Sequence, residues 1–281
     1  MPTVVLVPLD HSADAPSAIP VAAEVARLWG IGVLLMTVVV PNGNEVEAAD
    51  HLRAVAARAG LTGFQVEVRA SGATGESILR VAADRDAIIC MATHSRGRLG
   101  ELVLGSLSQL VVARSPEPVV LVGPSARPGE GAEAAPHRLG SRNHGPLVVP
   151  LDGSPSAERA VAAAAPWAQR FGVGLHLVHA VPKRGSANPV PDPADLVRRA
   201  GDRTGSAEVP VTAEVVPGDP VEVITTAVHA QGSPLIVLTS RGVTAEKNRT
   251  LSDVARRIVR ASPVPVLVLP HHSARTGTGA N

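Results

Sequence analysis

"VLVPLDHS" at Val5–Ser12 returns as "LVVPLDGS" at Leu147–Ser154, an offset of 142 residues. The same offset lays "ARLWGIGVLLMT" over "AQRFGVGLHLVH", so that Trp29 meets Phe171 and Gly30 meets Gly172. Farther along, "SPEPVVLV" from Ser115 matches "SPVPVLVL" from Ser262 at an offset of 147, so the second copy has gained five residues in its middle. The chain is therefore a tandem repeat, read as domain 1 over 1–123 and domain 2 over 146–271. Between the copies, "GPSARPGEGAEAAPHRLGSRNHG" is rich in Gly, Pro, Ala and charge, and 124–145 is expected to be a flexible linker. Residues 272–281 are expected to be a disordered tail.

The 281 residues suit two domains. Hydrophobic residues make up 45%, yet there are only two Trp, two Phe and no Tyr, so the core must be built from Val, Leu, Ile and Ala. Runs such as "TVVLVPL" and "VPVLVLP" fit strands buried on both faces. In the first copy the patterning predicts strands at Val4–Pro8, Val33–Val39, Gln65–Arg69, Ala87–Ala92 and Val119–Val122. Helices are predicted near Ser17–Trp29, Glu45–Ala59, Glu76–Ala83 and Ser106–Ala113. This alternation predicts an α/β fold of two tandem Rossmann-like domains, each a five-stranded parallel sheet with helices on both faces. In such sheets ligands bind beyond the carboxyl ends of the strands, where the winding reverses, and Asp10 and Met91 fall at such ends.

A formal net charge of +1 and the scarcity of aromatic rings argue against nucleic-acid binding. No apolar run is long enough to span a bilayer, and "MPTVVLVPLD" lacks the basic start of a signal peptide, so a cytoplasmic protein is expected. The one cysteine, Cys90, sits in an apolar strand and reads as an inert buried thiol. His176 and His179 are three apart on a strand and point to opposite faces, so they cannot chelate one ion. His271-His272 have no metal spacing, and no metal or catalytic residue is assigned.

The stretch that bears on function is "MATHSRGRLGELVLGSLSQL", Met91–Leu110. It leaves the apolar "AIICMA", crosses a polar loop with His94 and Arg96, and enters a helical pattern at Gly105-Ser106. A helix start there would aim free N–H groups and the positive dipole end at a phosphate, with glycine permitting close backbone approach. The same residues also read as an ordinary helix entrance, because Ser106-x-x-Gln109 has the spacing of a capping box. Both readings stand on sequence alone.

The "VPLDxS" after the first strand, the Gly-x-Gly before the second and this loop together resemble the universal stress protein family in its tandem two-domain form, over roughly 1–123 and 146–270. The resemblance implies a regulatory role in stress adaptation through unidentified protein partners. It also implies, for a nucleotide-binding subset, the pattern G-x2-G-x9-G-[S/T]. In copy 1 that pattern falls on Ala92, Ser95, Gly105 and Ser106, with Gly97 available for the tight turn. In copy 2 it falls on Thr239, Gly242, Ser252 and Asp253. The resemblance thus implies a nucleotide set of Pro8, Asp10, Val38, Met91, Ala92, Ser95, Gly97, Gly105, Ser106 and Leu107. A weaker second set is Pro150, Asp152, Ala180, Leu238, Gly242 and Ser252. Asp253 would repel phosphate, while Ser252 or Asp253 also reads simply as an N-cap. Asp10 and Asp152 equally read as loop carboxylates that help the next helix start, before the cap and N1 pair Ser154-Pro155 in copy 2.

The expected ligand is ATP or another adenine nucleotide, accompanied by Mg, with binding in the first domain ahead of the second. The alternative is an interaction module of the same family with both pockets degenerate. Slow ATP hydrolysis lacks a Walker loop and a recognisable base, so a non-enzyme is expected. Apolar terminal strands need covering, which predicts an intramolecular pseudo-dimer through "EPVVLV" and "VPVLVL", with further homodimerisation open.

Overall fold

The structure, a computed structural model, describes residues 1–93, 105–127, 145–181, 190–204, 208–239 and 251–269. The first half runs β1 (Val4–Pro8), α1 (Ala18–Trp29), β2 (Gly32–Val39), α2 (Glu45–Arg58), β3 (Phe64–Ala70), α3 (Thr74–Asp84), β4 (Ala87–Ala92), α4 (Ser106–Arg114) and β5 (Val119–Val122). The second runs β6 (Leu147–Leu151), α5 (Pro155–Phe171), β7 (Leu175–Val181), α6 (Pro193–Thr204), β8 (Val211–Pro217), α7 (Pro220–Gln231), β9 (Ile236–Thr239), α8 (Asp253–Ala261) and β10 (Val266–Leu269). The expected elements are present, with two shifts at helix starts. A 3-10 turn, Ala15–Ser17, precedes α1, and α3 begins two residues early, at Thr74.

The β-branched runs do become strands buried on both faces: all six residues of β4 and all four of β5 are buried. The strands form one ten-stranded sheet in the order β3-β2-β1-β4-β5-β10-β9-β6-β7-β8. Pairing is parallel within each half. The halves join where β5 meets β10 antiparallel, in the register Leu121↔Val266, Val120↔Leu267 and Val119↔Val268. The repeat thus covers its own last strand with its copy, and two edges that would otherwise be open are lost.

One apolar layer runs the length of the sheet beneath α1, α2, α5 and α6, and a second lies beneath α3, α4, α7 and α8. Across the junction Trp29 of α1 meets Trp167 of α5 edge-on, with ring centroids 5.2 Å apart, and the Arg170 guanidinium lies 5.0 Å over Trp29. The match of Gly30 with Gly172 also has a structural cause. Each is the left-handed residue that ends α1 or α5, at φ 66° and 67°, a conformation glycine adopts without Cβ strain. No helix among the described residues is long and apolar enough to cross a membrane.

Candidate functional site

Between β1 and β4 the strand order reverses direction, and the crevice outside their carboxyl ends is where ligands of such sheets sit. A cleft of about 410 Å3 opens there. Of the residues expected at a nucleotide, Pro8, Asp10, Val38, Met91, Ala92 and Leu107 line it together. Leu9, Ala15, Met36, Thr37, Thr74 and Ile78 complete the lining, and sequence reasoning missed them. Their signal was indirect: Met36 and Thr37 follow from the β2 register opposite β1, and Ile78 lies on the buried face of α3. Ser95 and Gly97, with His94 and Arg96, lie outside the described residues, as does Gly242.

The floor of the cleft is apolar because the strands deliver Met36 and Met91 to it, each almost fully buried. At its rim, Asp10 accepts a hydrogen bond from the Ser12 N–H at 2.9 Å, and the Ser12 hydroxyl accepts from the Ala15 N–H at 3.2 Å. The carboxylate therefore shapes the turn out of β1 while standing in the cleft wall. Leu107 is held from behind by close packing of α3 on α4. A Cβ at Gly75 would lie 2.6 Å from Leu110 Cδ2 and 3.3 Å from Leu107 Cδ1.

The entrance to α4 corrects the capping-box reading. Ser106 is the first helical residue and not the cap. The cap is Gly105, at φ −56° and ψ 147°, and its carbonyl accepts from the Gln109 N–H at 3.0 Å. No side chain caps this helix among the described residues. Its φ suits any residue, and an added Cβ would meet none of the described residues within 4 Å. Ser106 itself is exposed. The N-cap of α3, whose first residue Thr74 lines the same cleft, is Ala73, again without a capping side chain.

The second domain differs at both positions. Asp219 caps α7, accepting from the N–H groups of Val221 at 3.0 Å and Glu222 at 3.3 Å. It also binds Arg257 of α8 through both carboxylate oxygens, at 3.0 and 3.1 Å. Partial desolvation pushes the Asp219 carboxyl up, but the bonds from Arg257, Glu222 and Val221 outweigh it and hold the group below its ordinary value. Ser252 caps α8, its hydroxyl accepting from the Ala255 N–H at 3.1 Å, and Asp253 pairs with Arg256. Of the two roles Ser252 could play, capping is the one seen. Asp152 repeats the Asp10 turn, accepting from Ser154 N–H at 2.9 Å, and Ser154 with Pro155 opens α5 as expected.

Pro150, Asp152, Ala180 and Leu238 stand at the ends of β6, β7 and β9, as their counterparts do in the first domain. Between them, at the Thr37 position, is His179. Burial pushes its imidazole pKa down, against the opposing pull of Asp152 and of the Leu151 backbone. His176 points to the other face, with Nδ1 2.8 Å from Thr212 Oγ1 and Nε2 3.3 Å from Glu214. The two histidines do not converge. Burial alone pushes the Cys90 thiol far up, which keeps it un-ionised. Among the described residues no group of three His, Cys, Asp or Glu side chains could hold a metal ion.

Comparisons with known proteins agree with the repeat. The model of the Universal stress protein family matches residues 1–123 and again 144–270. A universal stress protein of Mycolicibacterium smegmatis is 26% identical over 301 residues, covering 94% of this chain and 96% of its own. One from Mycobacterium tuberculosis is 30% identical over 192 residues, covering 64% of this chain and 61% of its own. The crystal structure of a universal stress protein from Archaeoglobus fulgidus aligns over 95% of this chain and 96% of its own, with a TM-score of 0.67 at 20% identity, and so shares the fold. The chain belongs to the universal stress protein family, with two tandem domains.

Proposed function

We propose that this protein binds an adenine nucleotide such as ATP in the cleft of its first domain, and acts in stress adaptation as a nucleotide-dependent regulator rather than by turnover. One observation carries the reading. The two helices that open onto the first cleft, α3 and α4, have Ala73 and Gly105 at their caps, whereas their counterparts have Asp219 and Ser252. Cap oxygens satisfy the first N–H groups of a helix. Where they are absent beside an apolar cleft, the helix dipole and the N–H groups of Ser106 and Leu107 are available to a phosphate. The base would lie on the apolar floor beside Val38 and Met91, and the phosphates at Gly105. In the second domain the corresponding groups bind the protein's own side chains. That half serves as the docking partner of the first.

The test is to denature protein purified without added nucleotide and analyse what it releases, then titrate the emptied full chain with ATP by calorimetry. One nucleotide per chain is expected. No released nucleotide and no heat at millimolar ATP would leave the family's interaction-module role as the function.

A further inference from the structure

We propose that Arg127 is the positioning residue of the first cleft: a guanidinium from the connection between the domains that fixes two of the strand-end loops forming the cleft wall. The ligand rests on the nucleotide reading above; the clamp does not. Arg127 follows a 3-10 turn, Pro124–Ala126, and its side chain is only 15% exposed. Nη1 lies 2.6 Å from Asp14 Oδ1, and Nη2 donates to the Thr93 carbonyl. Asp14 immediately precedes Ala15 on the way out of β1, and Thr93 immediately follows Ala92 at the end of β4. Ala15 and Ala92 both line the cleft. Thr93 is itself tied down, its N–H donating to the Val122 carbonyl at 2.9 Å and its hydroxyl to the same oxygen at 3.3 Å.

A guanidinium is a planar fork of donors suited to holding two acceptors at once. Here it spans the loop after β1 and the end of β4, the two sides of the strand-order reversal. The Asp14 carboxylate compensates its charge, which directs Arg127 at the protein's own loops rather than at a ligand. Removing one partner of a largely buried ion pair leaves the other uncompensated, so the loops should loosen together.

Among the described residues the clamp has no counterpart in the second domain. At the 142-residue offset Asp14 becomes Ser156, whose hydroxyl lies 3.4 Å from Thr239 Oγ1 instead. The residues just ahead of Arg127 are seated on the second domain. The Ser125 hydroxyl donates to the Arg260 carbonyl at 3.0 Å, and the backbone at Gly123 passes so close to α8 that a Cβ would lie 1.9 Å from the Val259 oxygen. The second domain thus supports the cleft of the first through Arg127 without lining it.

The experiment compares full-length wild type, R127A, R127K and D14N by hydrogen exchange without nucleotide and by ATP calorimetry. N44A, which removes the Asn44 cap of α2 (accepting from Glu47 N–H at 3.1 Å), controls for general destabilisation. R127A should speed exchange in peptides covering Asp10–Ala18 and Cys90–Thr93 and raise the Kd for ATP about tenfold. R127K, which keeps the charge but not the fork, should fall between. N44A should lower Tm while leaving both readouts as in wild type. Should R127A fail to fold, R127K and D14N carry the same comparison. Exchange in both loops unchanged by these substitutions overturns the clamp, as does an ATP Kd that stays within about twofold of a wild type that binds. If wild type binds no ATP but the two loops loosen as described, the nucleotide reading fails and the positioning role of Arg127 holds.

Discussion

Two helices begin beside the first cleft and two counterparts hold the same places in the second domain, and the residue ahead of each separates the domains. In the first domain these residues are Ala73 and Gly105; in the second they are Asp219 and Ser252. At α3 and α7 the backbone differs too, Ala73 at φ −122°, ψ 78° against Asp219 at φ −68°, ψ 130°, but at α4 and α8 it does not. Gly105 stands at φ −56°, ψ 147° and Ser252 at φ −62°, ψ 158°, so one geometry is used with and without a capping oxygen. Relative to Ser or Asp, the Ala73 cap forgoes stability on the order of 1 kcal/mol and the Gly105 cap only a few tenths. A repeat that keeps its caps in one copy and lacks them at the cleft of the other forgoes helix-end stability at the place where the proposed nucleotide would supply the missing acceptors.

The largest expected effect comes from Gly105→Val. The branched side chain would stand where phosphate oxygens approach the N–H groups of α4. ATP affinity should fall at least tenfold, about 1.4 kcal/mol or more. Stability should fall by less, about 0.5–1 kcal/mol, the cost of an apolar residue in place of glycine at an N-cap, since φ is ordinary and none of the described residues lies within 4 Å of an added Cβ. Calorimetry and a melting curve on the same protein check this. Affinity that survives the substitution would mean the ligand sits elsewhere, and the contrast between the domains would lose its functional meaning.

Asp219→Ala probes the other side of the contrast. It removes the α7 cap and the acceptor of Arg257 Nη2, which is shared between the two carboxylate oxygens, and should cost about 1–2 kcal/mol at neutral pH. It should leave ATP affinity in the first domain unchanged. The pH dependence has a definite sign. Since the folded-state carboxyl is held below its unfolded value of 3.8, its contribution is fully present above that value and is lost as pH falls through the folded pKa. Denaturant titrations of wild type and D219A should therefore converge in strongly acidic buffer. A gap that stayed constant there would mean that Asp219 acts by packing rather than by charge.

A smaller effect is expected at His179. Its folded pKa is lowered from 6.5, chiefly by burial, so the unfolded chain binds the proton more readily. Stability should be highest above pH 6.5 and decline as pH falls from there through the folded pKa, levelling off below it. His179→Thr, which installs the first domain's residue, should flatten that part of the stability profile. A profile unchanged by H179T would assign the decline to another group.

Much of this was legible in the chain. The β-branched runs allow strands and little else, the two offsets of the repeat located both halves of the sheet, and the need to cover apolar terminal strands pointed to the β5–β10 junction. Asp10 and Met91 were recoverable because they fall at the carboxyl ends of strands where the winding reverses, and Pro8 and Val38 because the family resemblance implies them. The helix entrance was not. Ser106-x-x-Gln109 has the spacing of a capping box, but capping depends on which residue takes the extended cap conformation, and Gly105 does. Thr74 and Ile78 were missed because they approach the cleft across the sheet, a tertiary relation that no local period encodes. Arg127 fell in a Pro/Gly-rich stretch read as a linker, and only the fold brings it to Asp14 and Thr93.

The smallest stability effect sets the two domains directly against each other. Gly105→Ser writes the Ser252 cap into the first domain on a backbone already at nearly the same φ and ψ. The new hydroxyl should accept from the Ser108 N–H, as Ser252 does from Ala255 at 3.1 Å. Serine exceeds glycine at an N-cap by only a few tenths of a kcal/mol, so the rise in stability will be small. ATP affinity should move the other way. The hydroxyl engages one of the N–H groups otherwise open to phosphate, and its Cβ narrows the approach. The loss should be less than for valine, since serine is smaller and polar. Opposite signs for stability and affinity in a single substitution are what an exchange of cap for ligand requires. If both rose, the α4 entrance would be a helix end and nothing more.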